Sequence, residues 1–168
     1  MLIYLAISTT HDLAFVVGQL SRVVAHPHTK NVGTLKRALR YVAGTLRNGI
    51  TYARQKYDMM KDNTMHIIIE GYCDSDYTND PEQRKSTTVY VFTLAEGAVA
   101  WMSRSQLIIA ISTAEAEYVA ACEASMEAMA EYNILQDILP PHCQIKLRIG
   151  KDNQAAYVMA TSGVGDHV

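Results

Sequence analysis

The sequence predicts an α/β fold, with antiparallel strands first and a helical crossover later. Three segments of strand-like composition follow one another between residues 65 and 102, and turn residues bound each of them. One long helical segment then runs from about 113 to 139, before a further strand at 145–150 and a further helix at 153–162. The resulting order, β-β-β-α-β-α, predicts a mixed sheet.

Two helices are predicted before the sheet. Apolar residues recur at helical spacing over residues 10–25, so one amphipathic helix is expected there. A second helix is expected over about 30–46, with four apolar side chains turned inward: Leu35, Leu39, Val42 and Leu46. Residues Ile50 to Arg54 are then predicted to form a short strand, and a polar linker follows.

Charge is distributed unevenly along the chain. Residues 1–55 contain seven basic groups and one acidic group, a net charge of +6, whereas the remainder contains eight basic and sixteen acidic groups, a net charge of −8. The second helix carries a basic stripe opposite its apolar one, formed by Lys36, Arg37, Arg40 and Arg47. This division fits a protein that contacts phosphates with one part and metal with the other, but two oppositely charged solvated faces would explain it equally well.

The strands of the sheet are expected to be joined by short turns. The first strand is predicted over Met65–Cys73, ahead of a turn at Asn79–Pro81. The second is predicted over Thr87–Leu94 and the third over Ala98–Met102. The Arg104-Ser105 pair is then predicted to turn the chain.

The long helix is predicted over Thr113–Leu139 and is ended by two prolines. Its inward stripe is expected to contain seven residues: Tyr118, Ala121, Ser125, Ala128, Tyr132, Leu135 and Ile138. Its outward face is expected to carry three glutamates: Glu123, Glu127 and Glu131.

The whole-chain composition predicts an intracellular protein with one ordinary domain, or with a small domain and a helical appendage. The longest apolar runs in the 168 residues are too short for a transmembrane helix, and the first residues lack the basic flank of a secretory signal. Three widely spaced cysteines are typical of free thiols in a reducing compartment, which leaves cytoplasm and nucleus open. No glycine-rich phosphate loop is present, and no small-molecule cofactor is expected.

Three segments each offer an acidic residue at the edge of a predicted element: 71–76, 112–118 and 151–154. Carboxylates that converge repel one another unless positive charge lies between them. A pair of divalent cations is the usual solution, and phosphodiester hydrolysis is its usual use.

Only one of the two glutamates in the second segment is needed to cap the helix. Residues Ser112 to Glu115 match a capping box, in which Ser112 caps the helix and Glu115 reaches back to the amide of Ser112. Glu117 lies beside the inward stripe, and the cap does not require it. Glu117 is therefore the better ligand candidate.

The aspartates of the other two segments are also open to structural interpretations. Asp74 directly continues the first strand, whereas Asp76 is closer to the loop, so the more rigidly held Asp74 is favoured as a ligand. The two carboxylates of an isolated Asp-Xaa-Asp motif more often simply lie in solvent at the end of a strand. Taken alone, Asp152 would most often cap the following helix. It is a ligand candidate because the other two segments also offer carboxylates.

At these segments the chain resembles the ribonuclease H region of copia-type retrotransposon polyproteins. The matching blocks are Gly71–Tyr77, Arg84–Thr87, Ala98–Trp101 with Ser103, Ser112–Tyr118 and Asp152–Gln154. The amino-terminal third resembles the segment that links the reverse transcriptase to that region. Its matching blocks are Tyr4–Ala6, Asp12–Ala14, Gly18–Arg22, and Leu35–Tyr41 with Gly44-Thr45.

The resemblance implies a ribonuclease H-like mixed sheet and Mg²⁺-dependent cleavage of RNA in RNA–DNA hybrids, with Mn²⁺ as a possible substitute. It implies that Asp74, Glu117 and Asp152 bind the metal ions. Lys36, Arg37 and Arg40 are then expected to contact phosphates. The expected partners are the hybrid and the remainder of a polyprotein. The alternative is a catalytically inactive remnant or a nucleic-acid-binding module.

The resemblance also implies a division of the chain. Residues 1–55 are expected to form a two-helix connection segment, 56–64 a linker, and 65–168 an incomplete ribonuclease H-like domain. Members of the family continue through a Lys-His-Ile-Asp-like block that supplies a fourth carboxylate and the last strand and helix. Because the sequence stops at Val168 before such a block, those elements are expected to be missing.

Overall fold

A computed structural model describes residues 1–53, 65–80 and 83–150 of the chain. These residues form an α/β structure around a mixed four-stranded sheet in the order β3-β2-β1-β4. The strands are β1 (Met65–Asp76), β2 (Thr87–Leu94), β3 (Gly97–Ser105) and β4 (Cys143–Gly150), and the helices are α1 (Leu2–Ser8), α2 (Ala14–Arg22), α3 (Thr29–Gly44) and α4 (Thr113–Ile138). The first three strands are antiparallel, and β4 returns through α4 to lie parallel to β1. The predicted α/β class and mixed sheet are confirmed.

The turn between β2 and β3 is tight, and the one after β3 comes later than predicted. Ala95 and Glu96 join the strands with φ angles of 51° and 66°, the left-handed conformation that a two-residue hairpin turn requires. Arg104 and Ser105 do not form the predicted turn. They remain in β3 because Thr87 and Thr88 of β2 continue the antiparallel ladder opposite them.

The face of α4 that packs on the sheet agrees with the predicted stripe only in part: Ala128 is buried in the core, and Ala121 and Leu135 pack against it. The fully buried positions are occupied by small side chains at a spacing of four: Ala116, Ala120, Ala124 and Ala128. Tyr118, Met126 and Ile138 are exposed. Because α4 is apolar on several sides, periodicity alone does not identify its contact face. The alanine face packs on the sheet because small side chains let the helix approach it closely.

Two of the three glutamates predicted to face outward, Glu123 and Glu127, instead reach groups on the sheet. Glu123 accepts a hydrogen bond from Arg104 at 2.9 Å, and Glu127 accepts one from the Tyr90 hydroxyl at 3.1 Å. Burial, followed by the nearby charge of Glu127, raises the pKa of Glu131. The two contacts overturn the predicted outward position of Glu123 and Glu127.

The amino-terminal segment contains three α-helices and a 3₁₀ turn at His11–Leu13 where two helices were expected. Of the inward stripe predicted for the second helix, Leu35 and Leu39 of α3 are exposed, and Leu46, which is also exposed, lies beyond the end of α3. The buried residue of α3 is Ala38. The helix packs mainly on the short α2, which leaves most of its apolar stripe uncovered.

The strand predicted from Ile50 does not form in residues 50–53, and Arg54 lies outside the described residues. The segment is nevertheless fixed to the hairpin between β2 and β3. The Ala53 N–H donates to the Ala95 carbonyl at 2.7 Å, and the Tyr52 hydroxyl donates to the Ala98 carbonyl at 3.0 Å. These contacts hold the chain beside the sheet without a strand ladder.

Helices cover both faces of the sheet. One face packs against α4 through a core that contains Ile69, Cys73, Tyr90, Phe92, Ala100, Ala124 and Ala128. Trp101 of β3 lies on the other face, where its Nε1 donates to the carbonyl oxygen of Ala6 in α1 at 2.7 Å. No helix in the described ranges is long and apolar enough to cross a membrane.

Candidate active site

Asp74 lies on the face of the sheet that is turned away from α4. The odd-numbered residues of β1 from Ile67 to Cys73 are buried, and Cys73 belongs to the core against α4. Because successive side chains of a strand point to opposite faces, Tyr72 and Asp74 point the other way, and both are exposed. The backbone N–H of Ser75 donates to Asp74 Oδ1 at 2.8 Å and orients the carboxylate.

Glu117 reaches the same end of the sheet from the opposite face. It is 7% exposed at the beginning of α4, on the side of the helix that carries Ala116 and Ala120. The prediction that Glu117 lies beside the inward face of this helix is confirmed. A carboxylate removed from water to this extent is stable only with compensating partners, and a divalent cation is one kind of partner.

Glu115 has a separate, structural role at the start of α4. The Ser112 hydroxyl accepts a hydrogen bond from the Glu115 N–H at 3.1 Å, so the predicted N-cap is confirmed. The Glu115 carboxylate accepts from the Ile111 N–H at 2.7 Å, one residue before the predicted partner. The carboxylate thus satisfies a backbone donor just ahead of the helix, as a capping box does.

Gln106, a residue not predicted from the sequence, links α4 to the sheet at this point. It is 1% exposed, and its Nε2 donates to the Ala116 carbonyl at 2.8 Å and to Thr88 Oγ1 at 3.1 Å. Thr88 pairs with Ser75, the residue after Asp74. No sequence signal marks this glutamine, because an isolated polar residue in a loop is most often exposed.

The other two candidate aspartates are Asp76 and Asp152. Asp76 ends β1 and accepts a hydrogen bond from Asn79 Nδ2 at 3.0 Å, a contact within its own loop. Asp152 lies outside the described residues, so its role as a ligand stays a prediction. The last described residue, Gly150, pairs with Tyr72, two residues before Asp74. The described part of the chain therefore ends beside the strand that carries Asp74.

The described residues contain no group of three or more His, Cys, Asp or Glu side chains that could hold a metal ion. The predicted three-carboxylate set is not tested by this observation, because one of its members lies outside those residues. Asp74 and Glu117 supply two carboxylates at one end of the sheet, and carboxylate oxygen is the donor that Mg²⁺ prefers. Their chemistry fits this ion.

The three predicted phosphate contacts lie together on α3. Lys36, Arg37 and Arg40 are exposed. Their helix packs mainly on α2, which in turn packs on β3. At its end, α2 is linked to the chain after β1 by an ion pair between Arg22 and Asp80, with an N–O distance of 3.7 Å. Phosphate binding by the three residues stays a prediction.

The chain is similar to retrovirus-related Pol polyproteins of plant transposons. It is 34% identical over 137 residues to the Pol polyprotein from transposon TNT 1-94 of Nicotiana tabacum, which covers 82% of this chain and 10% of that protein. It is 31% identical over 135 residues to the Pol polyprotein from transposon RE1 of Arabidopsis thaliana, which covers 80% of this chain and 8% of that protein. The chain thus spans about a tenth of the length of these relatives.

Another relative is matched over most of its length. Secreted RxLR effector protein 161 of Plasmopara viticola is 38% identical over 128 residues, which are 76% of this chain and 84% of that protein. The same segment therefore also occurs in a protein that contains little else. No family model and no solved structure matches the chain.

Proposed function

Since the chain belongs to the family of copia-type retrotransposon Pol polyproteins, we propose that it acts as their ribonuclease H domain, together with the connection segment before it. The proposed reaction is hydrolysis of the RNA strand of an RNA–DNA hybrid during reverse transcription. The proposed partners are the hybrid and the rest of a polyprotein.

The observation that carries the proposal is the sheet order β3-β2-β1-β4 with β4 parallel to β1. The parallel pairing brings the end of β4 next to the half of β1 that contains Asp74. The link between Gln106 and Ala116 brings the first turn of α4, with Glu117, to the same end. This arrangement supports the ribonuclease H-like fold that the sequence resemblance implies.

Mg²⁺, or Mn²⁺ in its place, is the proposed cofactor, and Asp74, Glu117 and Asp152 are its proposed ligands. When bound, a pair of such ions supplies an activated water and stabilises the leaving oxygen. The residues of the chain contribute rigidity. Asp74 is held by the pairing of β1 with β2, where it lies opposite Val89, and by the Ser75 N–H. Glu117 is held by the capped start of α4 and by the Gln106 link to the preceding residue.

Recognition of the hybrid is proposed to rely on its shape and its phosphates, not on base sequence. The amino-terminal helices lie on the same face of the sheet as Asp74, because Trp101, which binds α1, pairs with Val91, and Val91 pairs with Tyr72. A hybrid that approaches Asp74 from this face would meet the basic side chains of α3 on the same side of the molecule.

Neutralising the basic residues of α3 is expected to weaken hybrid binding about tenfold at moderate salt and to lower the salt dependence. The triple variant Lys36→Gln/Arg37→Gln/Arg40→Gln should reduce the slope of log affinity against log salt by about 1 for each phosphate that is no longer neutralised. Fluorescence anisotropy with a labelled hybrid over a salt series measures both quantities.

The charge-conserving variant Arg37→Lys/Arg40→Lys is the matched control for this measurement. It should keep a slope close to that of the wild type because both charges remain. Equal slopes for the neutral and the charge-conserving variants would rule out phosphate binding by α3.

The proposed function is tested by incubating the protein with an RNA–DNA hybrid labelled on the RNA strand, in Mg²⁺ and in EDTA. Cleavage of the hybrid in Mg²⁺ alone, with single-stranded RNA left intact, is the expected result. Salt-dependent binding of the hybrid without cleavage in Mg²⁺ or Mn²⁺ would favour the alternative, a nucleic-acid-binding module without catalysis.

A further inference from the structure

Gln106 lies in the loop between β3 and α4 and makes three hydrogen bonds that involve different elements. Its backbone N–H donates to the Ser86 carbonyl at 2.8 Å, and its Nε2 donates to the Ala116 carbonyl at 2.8 Å and to Thr88 Oγ1 at 3.1 Å. A carbonyl oxygen only accepts hydrogen bonds, so the amide nitrogen must face Ala116, and this fixes the orientation of the side chain.

The contact with α4 is made at the residue directly before Glu117. Because Ala116 and Glu117 share a planar peptide unit, a shift of the Ala116 carbonyl also moves the Glu117 backbone. At the other side of the amide, Thr88 pairs with Ser75, which follows Asp74 in β1. One side chain therefore sets the spacing between the backbone segments that carry the two carboxylates.

The groups that this amide joins are removed from water. Gln106 is 1% exposed, and its two side-chain partners, Thr88 and Ala116, are both 0% exposed. The cap formed by Ser112 fixes where α4 begins, but it makes no bond to the sheet. The Gln106 amide thus links the first turn of α4 to the sheet by hydrogen bonds.

We propose that Gln106 is a positioning residue for Glu117 and holds this carboxylate at the distance from β1 that metal binding requires. The inference rests on the function proposed above, because it assumes that Glu117 binds the metal ion. Loss of the amide is expected to weaken metal binding while the rest of α4 remains packed on the sheet.

The chain offers a matched control in Tyr90. Its hydroxyl also links the sheet to α4, by donating to Glu127 at 3.1 Å. Glu127 lies ten residues after Glu117, which corresponds to about 15 Å along a helix. Tyr90→Phe therefore removes a bond between sheet and helix without touching the first turn.

The test compares Gln106→Leu, Thr88→Val, Thr88→Ser and Tyr90→Phe with the wild type in two measurements. One is the Mg²⁺ concentration that gives half-maximal cleavage of the hybrid, well below the Tm of each variant. The other is the rise in Tm that Mg²⁺ produces without hybrid.

Gln106→Leu should raise the half-saturating Mg²⁺ concentration about tenfold and reduce the Tm rise. Thr88→Val should change both in the same direction by less, whereas Thr88→Ser and Tyr90→Phe should match the wild type.

The outcomes separate this inference from the proposed function. If Gln106→Leu and Thr88→Val lower the Tm of the metal-free protein but keep the wild-type response to Mg²⁺, Gln106 is only structural and the inference is overturned, while the function stands. If the wild type neither cleaves the hybrid nor responds to Mg²⁺, the proposed function fails, and the inference falls with it. If Gln106→Leu does not fold, the two variants of Thr88 decide the question.

Discussion

Replacing Glu117 with glutamine is expected to reduce Mg²⁺-dependent cleavage by at least about 100-fold while leaving the fold intact. Glutamine has nearly the same shape, so the 7% exposed position at the start of α4 stays filled. The neutral amide, however, no longer offers the negative charge that a divalent cation requires. Single-turnover cleavage of the hybrid measures the loss, and the Tm in EDTA shows whether the fold is retained.

Glu115→Gln is the matched control for this variant, since it removes an acidic group only two residues away. The Glu115 carboxylate accepts a hydrogen bond from the Ile111 N–H at the helix start, so its loss should cost about 0.5–1 kcal/mol of stability and leave the cleavage rate near that of the wild type. Full activity of Glu117→Gln, or inactivity of a folded Glu115→Gln, would contradict the assignment of roles.

Gly71→Ala is expected to lower the free energy of unfolding by about 3 kcal/mol, because the added methyl group overpacks the core. A Cβ at this position would lie 2.1 Å from Cε1 and 2.5 Å from Cδ1 of Phe92, whose ring is 1% exposed. Either the ring or β1 must move, and both belong to the core that supports Asp74. Urea unfolding should show a lower midpoint with an unchanged m-value.

Gly33→Ala provides the matched control, because a Cβ there meets nothing within 4 Å. Gly33 lies within α3, so this substitution should raise stability by about 0.5–1 kcal/mol. Adding Phe92→Leu to Gly71→Ala should recover part of the stability, since the smaller side chain leaves space for the methyl group. A Gly71→Ala protein as stable as the wild type would show that the glycine is not required by packing.

The sequence predicted best those elements whose boundaries carry local signals. The second strand was predicted over Thr87–Leu94 and has these bounds, because alternation and flanking turn residues mark both ends. The long helix was predicted from Thr113 to Leu139 and ends one residue earlier, at Ile138, because Ser112 caps its start and prolines follow its end.

Features decided by tertiary packing were not predicted. The sheet packs against the alanine face of α4 and not against the face with larger apolar side chains. The shape of the sheet surface determines which face of the helix is buried. The short α1 was missed because its apolar residues show no periodicity, and its position depends on Trp101, 95 residues away from Ala6 in sequence.

The candidate site was predictable in part for the same reasons. Glu117 was distinguished from Glu115 by the capping motif, and its burial agrees with that reasoning. The position of Asp74 on the opposite face from α4 follows from strand alternation, but only once the buried side of β1 is known. Gln106 could not be found from sequence, because its importance lies entirely in two hydrogen bonds made by the folded chain.

The most direct test of the proposed function compares the rates at which the wild type, Asp74→Asn and Asp76→Asn cleave the RNA strand of a hybrid in Mg²⁺. Asp76 is the suitable control because it lies two residues further along β1 and hydrogen-bonds within its own loop. We expect cleavage by the wild type, a loss of at least about 100-fold in Asp74→Asn, and a near wild-type rate in Asp76→Asn. Equal rates for the wild type and Asp74→Asn, or no cleavage by a wild type that binds the hybrid, would contradict the proposal.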